Sequence, residues 1–161
     1  MSALRDALEA KEAHVVTVRI PVAKQAIVED RQEALREAKQ RRGLAEYQSD
    51  AKALERAQGA VEAAQGALDA CLFTIHIQGL TDDGDYDALI TKNTAAGDDG
   101  ELDWDAFCLD LLAACVLDSD LTADDWRKEL WQPKWTRAER AELFRAVNAA
   151  NTTTGSGVPN G

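Results

Sequence analysis

The chain has 161 residues, 45% of them hydrophobic, and 18 basic against 29 acidic side chains give a formal net charge of -11. That length suits one domain, or one compact domain with an appendage, and no stretch approaches the roughly 20 apolar residues of a membrane span. The acidity argues against generic binding to nucleic-acid backbones, where Lys and Arg must neutralise phosphate, and three cysteines without an export signal fit free thiols in a reducing cytosol.

Charge divides the chain into parts. Residues 1–79 carry 11 basic and 12 acidic groups, residues 80–126 carry 14 acidic groups and Lys92 alone, and residues 127–161 carry six basic and three acidic. The expected organisation is a strand pair and helical hairpin over 1–79, an acidic helical domain over 80–150, and a flexible tail over 151–161. The acidic middle either steers a basic partner or places aspartates at helix starts, where the backbone dipole favours them.

Ser2 is expected to cap a short helix reaching Ala13. His14-Val15-Val16-Thr17-Val18-Arg19-Ile20 then changes period, and its β-branched residues suit a strand that Pro21 ends. A helix follows from Ala23 to Arg42, with Ile27, Ala34, Leu35 and Ala38 on one face and Gly43 as its stop. In the next helix Tyr47, Leu54, Val61 and Leu68 recur every seven residues, with Ala57, Ala64 and Cys71 three positions after the last three. That is a coiled-coil seam with small second positions, which lets a neighbouring helix approach closely. Leu72 to Ile77 restores a strand pattern, with Phe73, Ile75 and Ile77 in phase. The two strands then meet antiparallel at the base of a helical hairpin; a parallel self-paired coiled coil is the competing arrangement.

Short capped helices follow. Thr81 is expected to cap a helix through Ile90, with Tyr86, Leu89 and Ile90 inward. Asn93 to Gly100 reads as a loop, and Asp103 caps a helix from Trp104 to Leu117 with a broad apolar face. Thr122 with Asp125, and Thr136 with Glu139, form capping boxes for two more helices, separated by Pro133. Trp104 and Trp126 are assigned to the core; Trp131 and Trp135, beside the proline break, are candidate exposed anchors. The fold class is therefore mainly α, with a helical hairpin flanked by a short antiparallel strand pair and followed by a small multi-helix domain.

Chemistry finds little purchase. Cys108 and Cys115 are seven apart on one helix and Cys71 is distant, so no thiol metal site forms and core packing explains all three. Asp118, Asp120, Thr122 and Glu129 fall at calcium-loop spacing, but Ala123 stands where the turn needs glycine. His14 and His76 flank the strand pair without a serine or cysteine at motif spacing, and Asp98 and Asp99 lie in the expected loop. No phosphate loop, nucleophile elbow or zinc-helix motif is present. Neither an enzyme nor a cofactor or metal is expected.

The C-terminal half does resemble a known family. Leu80 through Ile90 (LTDDGDYDALI), Leu102-Asp103-Trp104-Asp105-Ala106-Phe107, Asp118 to Trp126 (DSDLTADDW) and Arg140 to Asn148 are similar in order and spacing to the tail assembly chaperones of long-tailed actinobacteriophages. The resemblance implies a protein of the host bacterial cytoplasm, not retained in the mature virion. It would bind the tape measure protein and keep it from aggregating while tail tube protein polymerises around it. Tape measure and tail tube proteins are then the expected partners, a homo-oligomer stays open, and no nucleic acid or membrane is expected. Candidate partner-binding residues are Tyr47, Leu54 and Val61 on the hairpin seam and Trp131 and Trp135 at the proline break. Two other classes stay open: a structural head-tail connector or minor tail component, and an acidic inhibitor that mimics nucleic acid.

Overall fold

A computed structural model describes residues 3–11, 14–96 and 99–152. Among these the elements are α1 (Ala3–Glu9), β1 (Val15–Pro21), α2 (Gln25–Gln48), α3 (Ala51–Asp69), β2 (Leu72–Gln78), α4 (Asp83–Lys92), α5 (Trp104–Cys115), α6 (Ala123–Leu130) and α7 (Arg137–Thr152). The protein is mainly helical, and β1 and β2 pair in a two-stranded antiparallel sheet. The expected cap at Ser2 and most of the expected tail lie outside the described residues.

The chain forms two compact units, one from Arg19–Thr74 and the other from Met1–Val18 with Ile75–Gly161. The division between these units falls inside the two strands. The far end of β2 belongs with the helices that follow it, since Ile77 bridges Val116 and the Leu117 N–H donates to the His76 carbonyl at 2.9 Å.

Unit Arg19–Thr74 is the helical hairpin. Val28, Leu35 and Ala38 of α2 pack with Val61 and Leu68 of α3 and with Cys71, all buried. The base is closed by the Val22 N–H donating to the Cys71 carbonyl at 2.9 Å and by the Arg19–Asp69 ion pair. Three expectations are corrected here. α2 does not stop at Gly43; it runs on to Gln48, because an exposed mid-helix glycine costs only about 1 kcal/mol. The actual break is Ser49, in left-handed conformation at φ 54°, followed by Asp50, whose carboxylate accepts from the Lys52 and Ala53 N–H groups. Tyr47 therefore belongs to α2 and is 90% exposed, so its seven-residue phase with Leu54 is a coincidence across the turn. On α2, Ile27 and Ala34 face solvent, and the seam instead runs through Val28, Leu35, Ala38 and Ala45. Arg42 takes the next seam position, with Nη1 3.5 Å from Gln58 Oε1.

The other unit is built around α5, which buries Phe107, Cys108, Leu109, Leu111, Leu112 and Cys115. A helix buried on several sides lies centrally, and α4, α6 and α7 each pack against it. From them come Trp126, Leu130, Leu143, Phe144 and Val147, while Ile77 of β2 is fully buried. The caps explain much of the acidity. Asp82, not Thr81, caps α4 by accepting from the Gly84 N–H; Asp103 accepts from Ala106 N–H at 3.0 Å, and the Thr122–Asp125 box is complete. Asp82 wins over Thr81 because its carboxylate meets the helix dipole with full charge. Asp110 is covered, and Lys92 Nζ at 3.0 Å and Asn93 Nδ2 at 2.8 Å bond its two oxygens. The single cation of the acidic segment thus pairs with a carboxylate that is only 11% exposed.

The segment leaving β2 meets the last turn of α7 at Gly79 and Asn151. Asn151 is not part of a tail. Its Oδ1 accepts from the Leu80 N–H at 2.8 Å, and its Nδ2 donates to the Val147 carbonyl at 2.8 Å and lies 3.6 Å from Cys115 Sγ. A Cβ on Gly79 would overlap the Ala150 carbonyl oxygen, so the backbones approach as only glycine allows.

Candidate functional site

The turn between α6 and α7 sets up the most developed surface feature. Pro133 cannot continue α6, and the chain turns through residues 131–135. Glu129 organises the turn: Trp135 Nε1 donates to it at 3.1 Å, Gln132 Nε2 at 3.1 Å, and Lys134 pairs with it at 2.5 Å. Lys134, and then Trp135, hold the Glu129 carboxyl below its ordinary range. Thr136 and Glu139 exchange backbone and side-chain bonds and open α7.

This geometry separates the two candidate tryptophans. Trp135 is half-buried and acts as a strut through its N–H. Trp131 is 45% exposed, with its ring tilted at 43° to Phe144 and centroids 6.3 Å apart. The guanidinium carbons of Arg140 and Arg127 stand 5.3 and 5.9 Å from its centroid. Arg140 is further fixed by donating from Nη1 to the Leu130 and Trp135 carbonyls at 3.2 and 3.3 Å.

Trp131 forms one wall of a groove of about 560 Å³. Trp104, from the first turn of α5, lines it as well. Trp104 was expected in the core but is 45% exposed, because Phe107, one turn on, takes the inward position and Trp104 leans on it at 5.9 Å. Ala141 and Phe144 line the groove from α7, and Arg137, Arg140 and Arg145 stand around it with Asp105 and Asn148. Those α7 residues recur at three- and four-residue steps, so one helix face supplies them all. Sequence reasoning missed Trp104, the arginines and Phe144 as site residues; the available signal was a stripe of arginines at helical spacing in a net acidic chain.

Tyr47, Leu54 and Val61 belong to the hairpin unit and are not among the groove's lining residues. Val61 is buried in the hairpin's own core, Leu54 is half-buried on α3, and Tyr47 projects near the end of α2. The seam is thus engaged within the chain.

Burial pushes the Cys108 thiol up to about 12, with Asp105 adding to the shift, and burial also raises Cys115. Neither is prepared as a nucleophile. Among the described residues no group of three His, Cys, Asp or Glu side chains could hold a metal ion. Glu129 and Thr122, two members of the calcium-like spacing, are engaged instead with the α6–α7 turn and the α6 cap. Among the described residues no helix is long and apolar enough to cross a membrane.

No protein-family model matches this chain, and no curated protein or solved structure matches it.

Proposed function

We propose that this protein is a phage tail assembly chaperone that captures the tape measure protein during tail morphogenesis. The observation that carries the proposal is the groove between Trp104 and Trp131, each 45% exposed, on a small helical unit whose sequence order resembles that family. Half-exposed tryptophans with apolar neighbours are the anchors by which grooves hold amphipathic helices. Reversible capture of such a helix shields a long client from aggregation without any covalent chemistry.

The capture surface in this reading is the groove, not the hairpin seam, because Val28, Leu35, Val61 and Leu68 already satisfy one another. The protein then works in the host cytoplasm and is absent from finished particles. Co-expression with the tape measure protein tests the reading directly. Client recovered in the clarified lysate together with this chain supports it; a client equally abundant there and unassociated without this chain refutes it. Mass spectrometry of purified virions separates the chaperone from a structural tail component, which would be found in them.

A further inference from the structure

On the reading of the Trp104–Trp131 groove as the capture surface, we infer that its client segment is an acidic amphipathic helix. Such a helix carries bulky apolar residues on one face and Asp or Glu along its borders.

Charge complementarity carries the inference. Arg137, Arg140 and Arg145 stand around the groove, and Asp105 is the one carboxylate among its described lining residues. Arg145 shares its charge with Glu142, and Arg140 bonds two carbonyls. The surrounding chain is the reverse, with 14 acidic groups and one lysine over residues 80–126. A basic client would be drawn to many places on such a surface. An acidic client is repelled from most of it and accepted where the arginines cluster, which gives both location and orientation.

The aromatic wall points the same way. Trp131 already has two guanidinium groups within 6 Å of its ring, at 5.3 and 5.9 Å. A lysine or arginine arriving there would meet like charge before it met the ring's negative face. A carboxylate arriving there meets two cations, while the apolar edge of the indole and Phe144 stay available to a leucine or phenylalanine. Helices, not strand edges, line the groove, so side-chain insertion from a helix is the fitting mode. A nucleic-acid strand is disfavoured, since its phosphate charge is denser than that of an acidic helix and a chain of net charge -11 repels it more strongly.

The test uses the full chain and three fluorescent probes: a Glu/Leu amphipathic peptide of roughly 20 residues, its Lys/Leu counterpart, and an oligothymidylate. Anisotropy titrations should show the Glu/Leu peptide binding most tightly. Arg137→Glu with Arg145→Glu should weaken it by about tenfold or more and favour the Lys/Leu peptide. Raising salt from about 0.05 to about 0.5 M should weaken the wild-type complex as well. Trp104→Ala should weaken both peptides, and matching circular dichroism melts show that the variants fold. Tighter binding of the Lys/Leu peptide or the oligothymidylate to the wild type overturns the inference, as does indifference of Glu/Leu binding to the double reversal. Co-expression separates the two levels. If wild type and double-reversal variant retain the tape measure protein equally, the capture reading stands and this inference fails. If the wild type does not retain it, the capture reading fails, and the peptide titrations still decide the groove's charge preference.

Discussion

Replacing Gly79 by alanine adds a methyl group where the chain, leaving β2, runs against the last turns of α7. The new carbon would overlap the Ala150 carbonyl oxygen and stand 3.0 Å from the Ala150 carbonyl carbon. Both are backbone atoms of a helix, so no side chain can rotate away. Gly79 itself does not lie in the left-handed region, and space alone forbids the substitution. The end of α7 must move, and with it the Asn151 side chain that accepts from the Leu80 N–H at 2.8 Å. Overpacking of this kind costs about 1–3 kcal/mol, and weakening the hydrogen bond adds about 1 kcal/mol. Reduced freedom of the unfolded chain returns about 0.4–1 kcal/mol, leaving a net loss of roughly 1–3 kcal/mol. Urea titration followed by tryptophan fluorescence reads this directly, since Trp104, Trp126, Trp131 and Trp135 all belong to the unit that contains Gly79. The internal control is Gly59→Ala in α3, where nothing lies within 4 Å of the new carbon. That substitution should stabilise the hairpin by about 0.5–1 kcal/mol by circular dichroism. A Gly79→Ala protein as stable as wild type, beside a Gly59→Ala protein that gains stability, would refute the close approach.

The hairpin turn offers a second test: Ser49→Gly relieves a left-handed residue and should raise the hairpin's melting point, by about 1 kcal/mol of stability. Cys108 and Cys115 should resist a thiol reagent at pH 8 until urea unfolds the protein, because burial raises both; rapid native labelling of either would contradict that packing. Stability should also fall in acid. The folded-state carboxyls of Glu129, Asp125 and Asp69 are held below their ordinary values, first by Lys134, Thr122 and Arg19 respectively. Their stabilising contribution is complete above the ordinary carboxylate range and is lost as pH drops through it toward the folded values. Urea midpoints at neutral pH and near pH 3 should differ, and Glu129→Gln should narrow the difference; a midpoint indifferent to acid would speak against these contacts.

What was legible in the chain is the part specified by neighbours in sequence. The β-branched run at Val15–Ile20, the boxes at Thr122–Asp125 and Thr136–Glu139, and the cap at Asp103 each depend on residues within one turn or strand, and each forms as expected. The hairpin turn was misplaced because glycine is the commoner helix stop. Ser49 and Asp50 do the work through a strained backbone and a carboxylate that meets two N–H groups. The seam itself was legible from Leu54 to Cys71 and failed at Tyr47, where the phase survives the turn but the helix does not. The groove was not legible. Trp104 and Trp131 lie far apart in sequence, and the packing of α6 and α7 against α5 sets both along one groove. Asn151 was hidden for the same reason: its partners, Leu80 and Cys115, are distant in sequence.

The hairpin leaves and re-enters the chain through two paired strands, and the Arg19–Asp69 pair with the Val22–Cys71 hydrogen bond fastens its entry to its exit. An insertion so fastened can vary in length at its far end. Adding or deleting seven residues on each helix preserves which side chains interlock and returns both ends to the same strands. Evolution or an engineer can therefore change the hairpin's length by about 10 Å at a time, at 1.5 Å per residue, and leave its fastening at the strands intact.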